Sequence, residues 1–229
     1  MTGTLVNTAA VLAGGTLGTI LGRSFPEKAK ETVISAMSLV VAVFGIRMAL
    51  ATENILIVLG SLAIGGIIGE LLRIQTRLDS LGNILENFLQ KNKLLSGGRF
   101  SEGFVTASMV FCVGPMTVMG SIQDGLAGDS SLLLLKSMLD GFAALAFASV
   151  MGMGVTASAL LVLVFQGALT LGAAGFSNVL TASMVTELSA AGGVIILAIS
   201  VHMLGLKKLP LANYLPALFI APLIVRLAG

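Results

Sequence analysis

Long apolar runs dominate the chain, and short polar segments separate them. The runs are rich in Leu, Ile, Val and Ala, lack strand-like alternation, and are about 20 residues long, enough to cross a hydrocarbon core as helices. Spanning helices also satisfy their own backbone hydrogen bonds. The pattern predicts an all-α polytopic membrane protein. We place eight transmembrane helices at residues 5–22, 32–50, 55–72, 104–122, 132–150, 155–174, 187–206 and 211–227.

Residues 74–93 differ from the apolar runs around them. Leucine and isoleucine recur there at helical spacing, with charged residues between them. Such a segment is too polar to span and is typical of an amphipathic helix. We expect it to lie on the cytoplasmic membrane surface or to cover the bundle, within a single membrane domain of residues 1–229.

The fourth predicted helix is interrupted by Gly114 and Pro115. Proline lacks a backbone donor, clashes with the preceding turn and pushes the residue before it out of helical conformation. The helix is therefore expected to kink or break there. The freed carbonyls are tolerated at membrane depth only when they are buried in protein or line a cavity.

Small residues at four-residue spacing place narrow stripes on two predicted helices, where another helix can approach closely. The stripes are Gly14, Gly18 and Gly22 in the first helix, and Ser61, Gly65 and Gly69 in the third. Packing within the bundle is the simplest use of such stripes. Homo-oligomerisation through the same faces is a second expectation.

Composition narrows the class of protein further. The chain of 229 residues is 56% hydrophobic and only 10% charged, against about 25% charged in soluble domains. A net charge of +2 carries no nucleic-acid signature, and a single cysteine permits neither an intrachain disulfide nor a cysteine metal site. No catalytic or cofactor-binding motif is present. We expect neither an enzyme nor a cofactor.

The basic residues fix the expected orientation. With eight spans, ten of the thirteen Lys and Arg fall on one side, and only Arg47, Lys136 and Arg226 fall on the other. Because basic loops stay in the cytoplasm, the side with ten is cytoplasmic. Both termini are then outside.

A weak internal similarity relates the two ends of the chain. The second predicted span ends in a segment resembling the end of the seventh, and the first and sixth share a glycine-rich pattern. Pairing spans one to three with six to eight shifts the chain by five spans, and an odd shift reverses orientation. The interpretation is a 3+2+3 inverted repeat, which typifies secondary transporters.

A hexapeptide pattern, Ser-x-x-Asp-Gly-x, appears twice near the centre, ending in Asp124-Gly125-Leu126 and Asp140-Gly141-Phe142. An acid within a membrane helix is costly and is a functional-site hypothesis by default. Lys136 lies four residues before Asp140 and shares its helix face. The pair is interpreted either as a structural ion pair or as a cation or proton site with Lys136 as counter-ion. Asp124 is the shallower acid, and an ordinary turn residue is the alternative.

Other polar side chains complete the candidate site. The motif hydroxyls of Ser121 and Ser137 suit a hard-cation shell beside the carboxylates, and Gln123 precedes Asp124. Asn7 either bonds a neighbouring helix or faces a solute path. Glu187 either joins the acids on the outer side or occupies a favourable helix N-terminus. Two carboxylates are too few to name a metal.

The central motifs, together with the opening Gly3-Thr4-Leu5-Val6-Asn7, resemble those of a bacterial family of uncharacterised inner-membrane proteins, the YqgA/YdfK type. The resemblance covers essentially the whole chain. It implies a multi-pass protein of the bacterial inner membrane and supplies no substrate or catalytic residue.

These patterns favour a small-solute or ion transporter with its polar site between the fourth and fifth spans. The alternatives are a non-transporting membrane partner or sensor that docks through residues 74–93, and a passive channel. The partners expected are the lipid bilayer and an unidentified solute or cation.

Overall fold

The computed structural model describes residues 1–89, 100–177 and 180–228, and the protein is 86% helical with no strand in these ranges. The helices are α1 (Thr2–Gly22), α2 (Glu27–Ala49), α3 (Ile55–Leu71), α4 (Ile74–Leu89), α5 (Phe100–Cys112), α6 (Pro115–Ala127), α7 (Ser131–Met151), α8 (Met153–Leu171), α9 (Ala173–Ser177), α10 (Ala182–Met203) and α11 (Ala217–Ala228), with a 3-10 helix at Leu211–Tyr214. The predicted all-α fold is confirmed.

Five of the described helices, α1, α2, α7, α8 and α10, are long and apolar enough to cross a membrane. Two bent pairs, α3 with α4 and α5 with α6, raise the number to seven if each pair is one span. The eighth predicted span coincides with a shorter apolar helix within Leu211–Leu227. Large apolar side chains of α2, such as Val40 and Val43, are 69% and 67% exposed, as lipid-facing side chains are.

The chain forms two compact units. The first comprises Met1–Ile34, Asp79–Cys112 and Met116–Asn178, and the second comprises Ser35–Leu78, Val113–Pro115 and Val179–Gly229. The first unit therefore holds α1 and α5 to α9, and the second holds α3, α10 and α11 with most of α2.

In the first unit, the glycine stripe of α1 packs directly on α7. A side chain at any of these glycines would meet α7 backbone. The contacts pair Gly14 with Gly141, Gly18 with Leu145, and Gly22 with Ser149. The residue numbers of the two helices increase together along the contact, so α1 and α7 run parallel. The predicted packing role of the stripe is confirmed, because only glycine permits this backbone approach.

Helix α8 packs on α1 in the opposite direction. The Thr4 and Thr170 hydroxyls lie 3.1 Å apart, and Gly15 faces Thr156. One residue number rises as the other falls, so the helices are antiparallel. This arrangement places the first turns of α1 beside the last turns of α8.

In the second unit, small residues again mediate antiparallel contacts. The pairs are Gly45 with Leu197 and Ala49 with Gly193 between α2 and α10, and Gly65 with Ala217 and Gly69 with Asn213 for α3. The predicted stripe of α3 therefore packs within the chain. Homo-oligomerisation through these faces stays a prediction.

The bend between α3 and α4 is 58° and is fixed by hydrogen bonds. Arg73, between the two helices, has a left-handed φ of 51°. Asn213 accepts the Gln75 amide at 2.8 Å and donates to the Glu70 carboxylate at 2.6 Å. Helix α4 is the polar segment that follows the bend, and residues 90–93 of the predicted amphipathic helix lie outside the described ranges.

Helices α5 and α6 meet at 60°, and the break falls at Gly114 and Pro115. The predicted interruption of the fourth span is confirmed. A Cβ at Gly114 would meet nothing within 4 Å, so this glycine is not required by close packing.

Candidate functional site

The helix break leaves the Phe111 carbonyl without its normal partner. In a continuous helix the carbonyl of residue 111 accepts from the amide of residue 115. Residue 115 is proline and has no N–H, so the Phe111 carbonyl needs other donors. It receives two, Lys136 Nζ at 2.8 Å and Thr117 Oγ1 at 3.0 Å. The Phe111 carbonyl at the end of α5 is therefore hydrogen-bonded to Lys136 of α7.

Lys136 also forms an ion pair with Asp140, one turn further along α7. Both residues are buried, at 5% and 8% exposure. The Lys136 ammonium thus bridges the Asp140 carboxylate and the Phe111 carbonyl. Charged groups are almost never buried unless they are paired, and here each charge is the main partner of the other.

Asn7 of α1 completes the shell of Asp140. Its Nδ2 group donates to Asp140 Oδ2 at 3.0 Å and to Gln166 Oε1 of α8 at 2.9 Å. Asn7 and Gln166 are both fully buried. We call Asn7, Lys136, Asp140, Gln166 and the Phe111 carbonyl the polar core. Of the two sequence-based interpretations of Asn7, the hydrogen bond to a neighbouring helix is present.

Asp124 contacts α1 about one helical turn before the position at which Asp140 contacts it. It lies inside α6 rather than in a turn, and it is 4% exposed. Its Oδ2 accepts the Gly3 amide at 3.1 Å and lies 3.0 Å from the Met1 ammonium. The first amides of a helix lack intrahelical acceptors, and its N-terminal dipole favours a negative charge. Asp124 therefore acts as an anionic cap for α1.

The remaining candidates have distinct surroundings. The Ser137 hydroxyl donates to the Leu133 carbonyl of its own helix at 2.6 Å. Ser121 is fully buried on the same face of α6 as Asp124, and its hydroxyl has no hydrogen-bond partner within the described part of the chain. Gln123 is exposed.

Glu187 belongs to the second unit. Its carboxylate accepts from the Thr52 hydroxyl at 2.7 Å and from the amides of Glu53 and Asn54 at 2.7 and 3.1 Å. These groups form the turn before α3. Glu187 thus fixes that turn to α10.

Asp129 lies between the two central acids in the sequence and provides a contrast to Asp140. It is exposed in the loop before α7, where the Ser131 hydroxyl and amide bind its carboxylate and lower its pKa. Asp129 has the same side chain as Asp140, but its carboxylate is exposed rather than buried. It therefore serves as a matched control for substitutions at Asp140.

Sequence reasoning missed three members of the site. Gln166 and the Phe111 carbonyl belong to the polar core, and Thr117 supports that carbonyl. A glutamine in the middle of an apolar helix was the available signal for the first. The loss of the amide donor to the Phe111 carbonyl could be predicted, because Pro115 lies four residues later. Its replacement by Lys136 could not be predicted, because one sequence does not show how two helices are aligned.

Among the described residues, no group of three or more His, Cys, Asp or Glu side chains is placed to hold a metal ion. The donors around Asp140 are an ammonium and an amide N–H, whereas hard cations bind oxygen ligands. The polar core contains a single carboxylate, that of Asp140. It is not arranged as a multidentate cation cage.

A helical chain with exposed apolar faces and a buried ion pair defines a multi-pass membrane protein. The chain belongs to the DUF554 family, described as a protein of unknown function, whose pattern matches residues 2–226. It is 30% identical to the uncharacterized membrane protein YdfK of Bacillus subtilis over 98% of this chain and 96% of the relative. It is also 30% identical to the uncharacterized protein YqgA of Escherichia coli, over 96% and 94% of the two chains. No solved structure matches the chain.

Proposed function

We propose that the protein is a small-solute or ion transporter of the bacterial inner membrane, with both termini outside and Asp140 at its working centre. The observation that carries the proposal is the Lys136 ammonium shared between the Asp140 carboxylate and the Phe111 carbonyl. Intramembrane ionisable residues with a defined partner typically mark ion or substrate paths. An interrupted helix beside them is the second common element of such paths.

The arrangement suggests how occupancy of the site would act on the helix break. Neutralising Asp140, by a cation or a proton, removes the main attraction for Lys136. The ammonium then keeps only its bond to the Phe111 carbonyl or moves to a new acceptor. Either response changes the support of the α5–α6 break. Binding and conformation are coupled only if the bound species interacts differently with the two states, and Lys136 provides that difference.

The packing of the helices supports the inverted-repeat interpretation. Each pair matched from the sequence, α1 with α8, α2 with α10 and α3 with α11, is in antiparallel contact. An inverted repeat requires its related helices to run in opposite directions. The two copies of the Asp-Gly motif also face the first pair, with Gly125 against Thr170 of α8 and Gly141 against Ala10 of α1.

The proposal is tested with purified protein in liposomes. A panel of H⁺, Na⁺, K⁺, Mg²⁺, small carboxylates, amines and amino acids is first screened for thermal stabilisation. Uptake of each stabilising solute is then measured. We expect at least one solute to stabilise the protein and to enter saturably. Uptake no faster than in protein-free liposomes across the whole panel would overturn the proposal.

A further inference from the structure

Several buried polar atoms of the first unit have no hydrogen-bond partner among the described residues. Three of them belong to fully buried residues: Asn7 Oδ1, Gln166 Nε2 and Ser121 Oγ. Burying an unpaired polar group costs about 1–3 kcal/mol, so native proteins rarely leave several together without a ligand or ordered water. These three lie on three different helices, which makes a shared ligand the economical explanation.

Helix register places these three residues beside Asp140 or between the two central acids. On α1, Gly3 binds Asp124 and Asn7 binds Asp140. Four residues of helix separate these contacts by about 6 Å. On α6, Thr117 binds the Phe111 carbonyl next to Lys136, and Asp124 lies seven residues later on the same face, with Ser121 between them.

The orientation of both amides is fixed by Asp140. A carboxylate requires donors, so the Asn7 NH₂ group must face it, and Asn7 Oδ1 is left as an acceptor. The same NH₂ group faces Gln166, which must therefore present Oε1 and leave Nε2 as a donor. Together with the Ser121 hydroxyl, the region offers one acceptor, one donor and one group that does both. Buried water typically makes about three hydrogen bonds to groups of this kind.

We propose that Asn7, Gln166 and Ser121 bind ordered water that connects Asp124 to Asp140, and that the ion coupled to transport is the proton. The inference rests on the proposed function and names its coupling ion. A proton enters at Asp124 from the outer side and passes from water to water. It forms an O–H bond on Asp140, while the last water regains its proton from the one before it.

The surroundings of Asp140 favour a proton over a metal cation. The groups that face it are the Lys136 ammonium on α7, the Asn7 amide on α1, held in turn by Gln166 of α8, and the Cys112 thiol of α5, which interacts electrostatically with both charges. A metal cation would need several oxygen ligands and would meet the positive charge of Lys136. A proton needs only one carboxylate oxygen.

The two motif serines give a matched pair of variants. Ser121→Ala removes a hydroxyl that has no protein partner, whereas Ser137→Ala removes one that bonds only its own helix. A purely structural role predicts that Ser121→Ala is harmless. The relay predicts that it slows proton movement, measured with an interior pH dye in liposomes, about tenfold or more, because one link of the path is lost. Ser137→Ala should keep the wild-type rate.

Infrared difference spectra on acidification supply a readout that does not need transport. We expect a protonated-carboxyl band that Asp140→Asn abolishes, and a buried-water band that Ser121→Ala shifts and Ser137→Ala leaves unchanged. Solute uptake without interior pH change and without the carboxyl band would overturn the proton proposal and leave the transporter proposal standing. The expected bands in a protein that moves no solute would support the water relay and contradict the transporter proposal. Identical spectra and proton rates for Ser121→Ala and wild type would overturn the relay.

Discussion

Removing one charge of the Lys136–Asp140 pair is expected to cost far more than removing both. Lys136→Met leaves the Asp140 carboxylate buried with only Asn7 as donor, and it takes one of two donors from the Phe111 carbonyl. Breaking a buried pair by deleting one partner costs about 3–5 kcal/mol. Asp140→Asn strands the ammonium in the same way. The double variant buries no unpaired charge.

A double-mutant cycle measures this coupling. Reversible unfolding in mixed micelles should show that the double variant is less destabilised than either single variant, so that its cost falls below the sum of the two by at least about 3 kcal/mol. The exposed control Asp129→Asn should change the free energy of unfolding by less than about 0.5 kcal/mol. Single-variant costs below about 1 kcal/mol, or simple additivity, would refute the reasoning.

The same cycle can test the role of the helix break. Pro115→Ala restores an amide that can donate to the Phe111 carbonyl. Lys136→Met should then cost about 1 kcal/mol less than in the wild-type background, since one net hydrogen bond has about that value. An unchanged cost would show that the Lys136 bond to this carbonyl contributes nothing.

Three further predictions concern packing and orientation. Gly14→Ala should lower the unfolding midpoint because its Cβ would meet α7 backbone, whereas Gly175→Ala, with nothing within 4 Å, should not. Asn213→Ala should cost about 2 kcal/mol in unfolding measurements, because two hydrogen bonds at the α3–α4 bend are lost. In a background without the native cysteine, an impermeant maleimide should label Asp129→Cys in intact cells and Lys207→Cys only after permeabilisation; the reverse pattern would contradict the orientation.

Much of the fold follows from sequence pattern because bilayer physics acts locally. Run length predicts spans, glycine spacing predicts close helix contacts, and Pro115 predicts the break, each from a few neighbouring residues. The eight-span count is less well determined by these rules, because some apolar helices, such as the one near the C-terminus, are shorter than a full span. The pairing of Lys136 with Asp140 was also visible, since it lies within one helix.

The rest of the site depends on helix register, which one sequence does not encode visibly. Asn7 and Gln166 are 159 residues apart and meet only because α1 and α8 pack antiparallel at one register. Asp124 was ambiguous for a related reason. An Asp-Gly pair is typical of turns, but here the glycine is required for close approach to Thr170, and the helix continues past it.

The account is tested most directly by uptake into proteoliposomes across the solute panel for wild type, Asp140→Asn and Asp129→Asn. Correct folding of all three is established beforehand by size-exclusion chromatography and helical circular dichroism. We predict that Asp140→Asn abolishes uptake of the solute that the wild type carries, while Asp129→Asn transports at the wild-type rate. Undiminished uptake by folded Asp140→Asn would contradict the central role of this carboxylate.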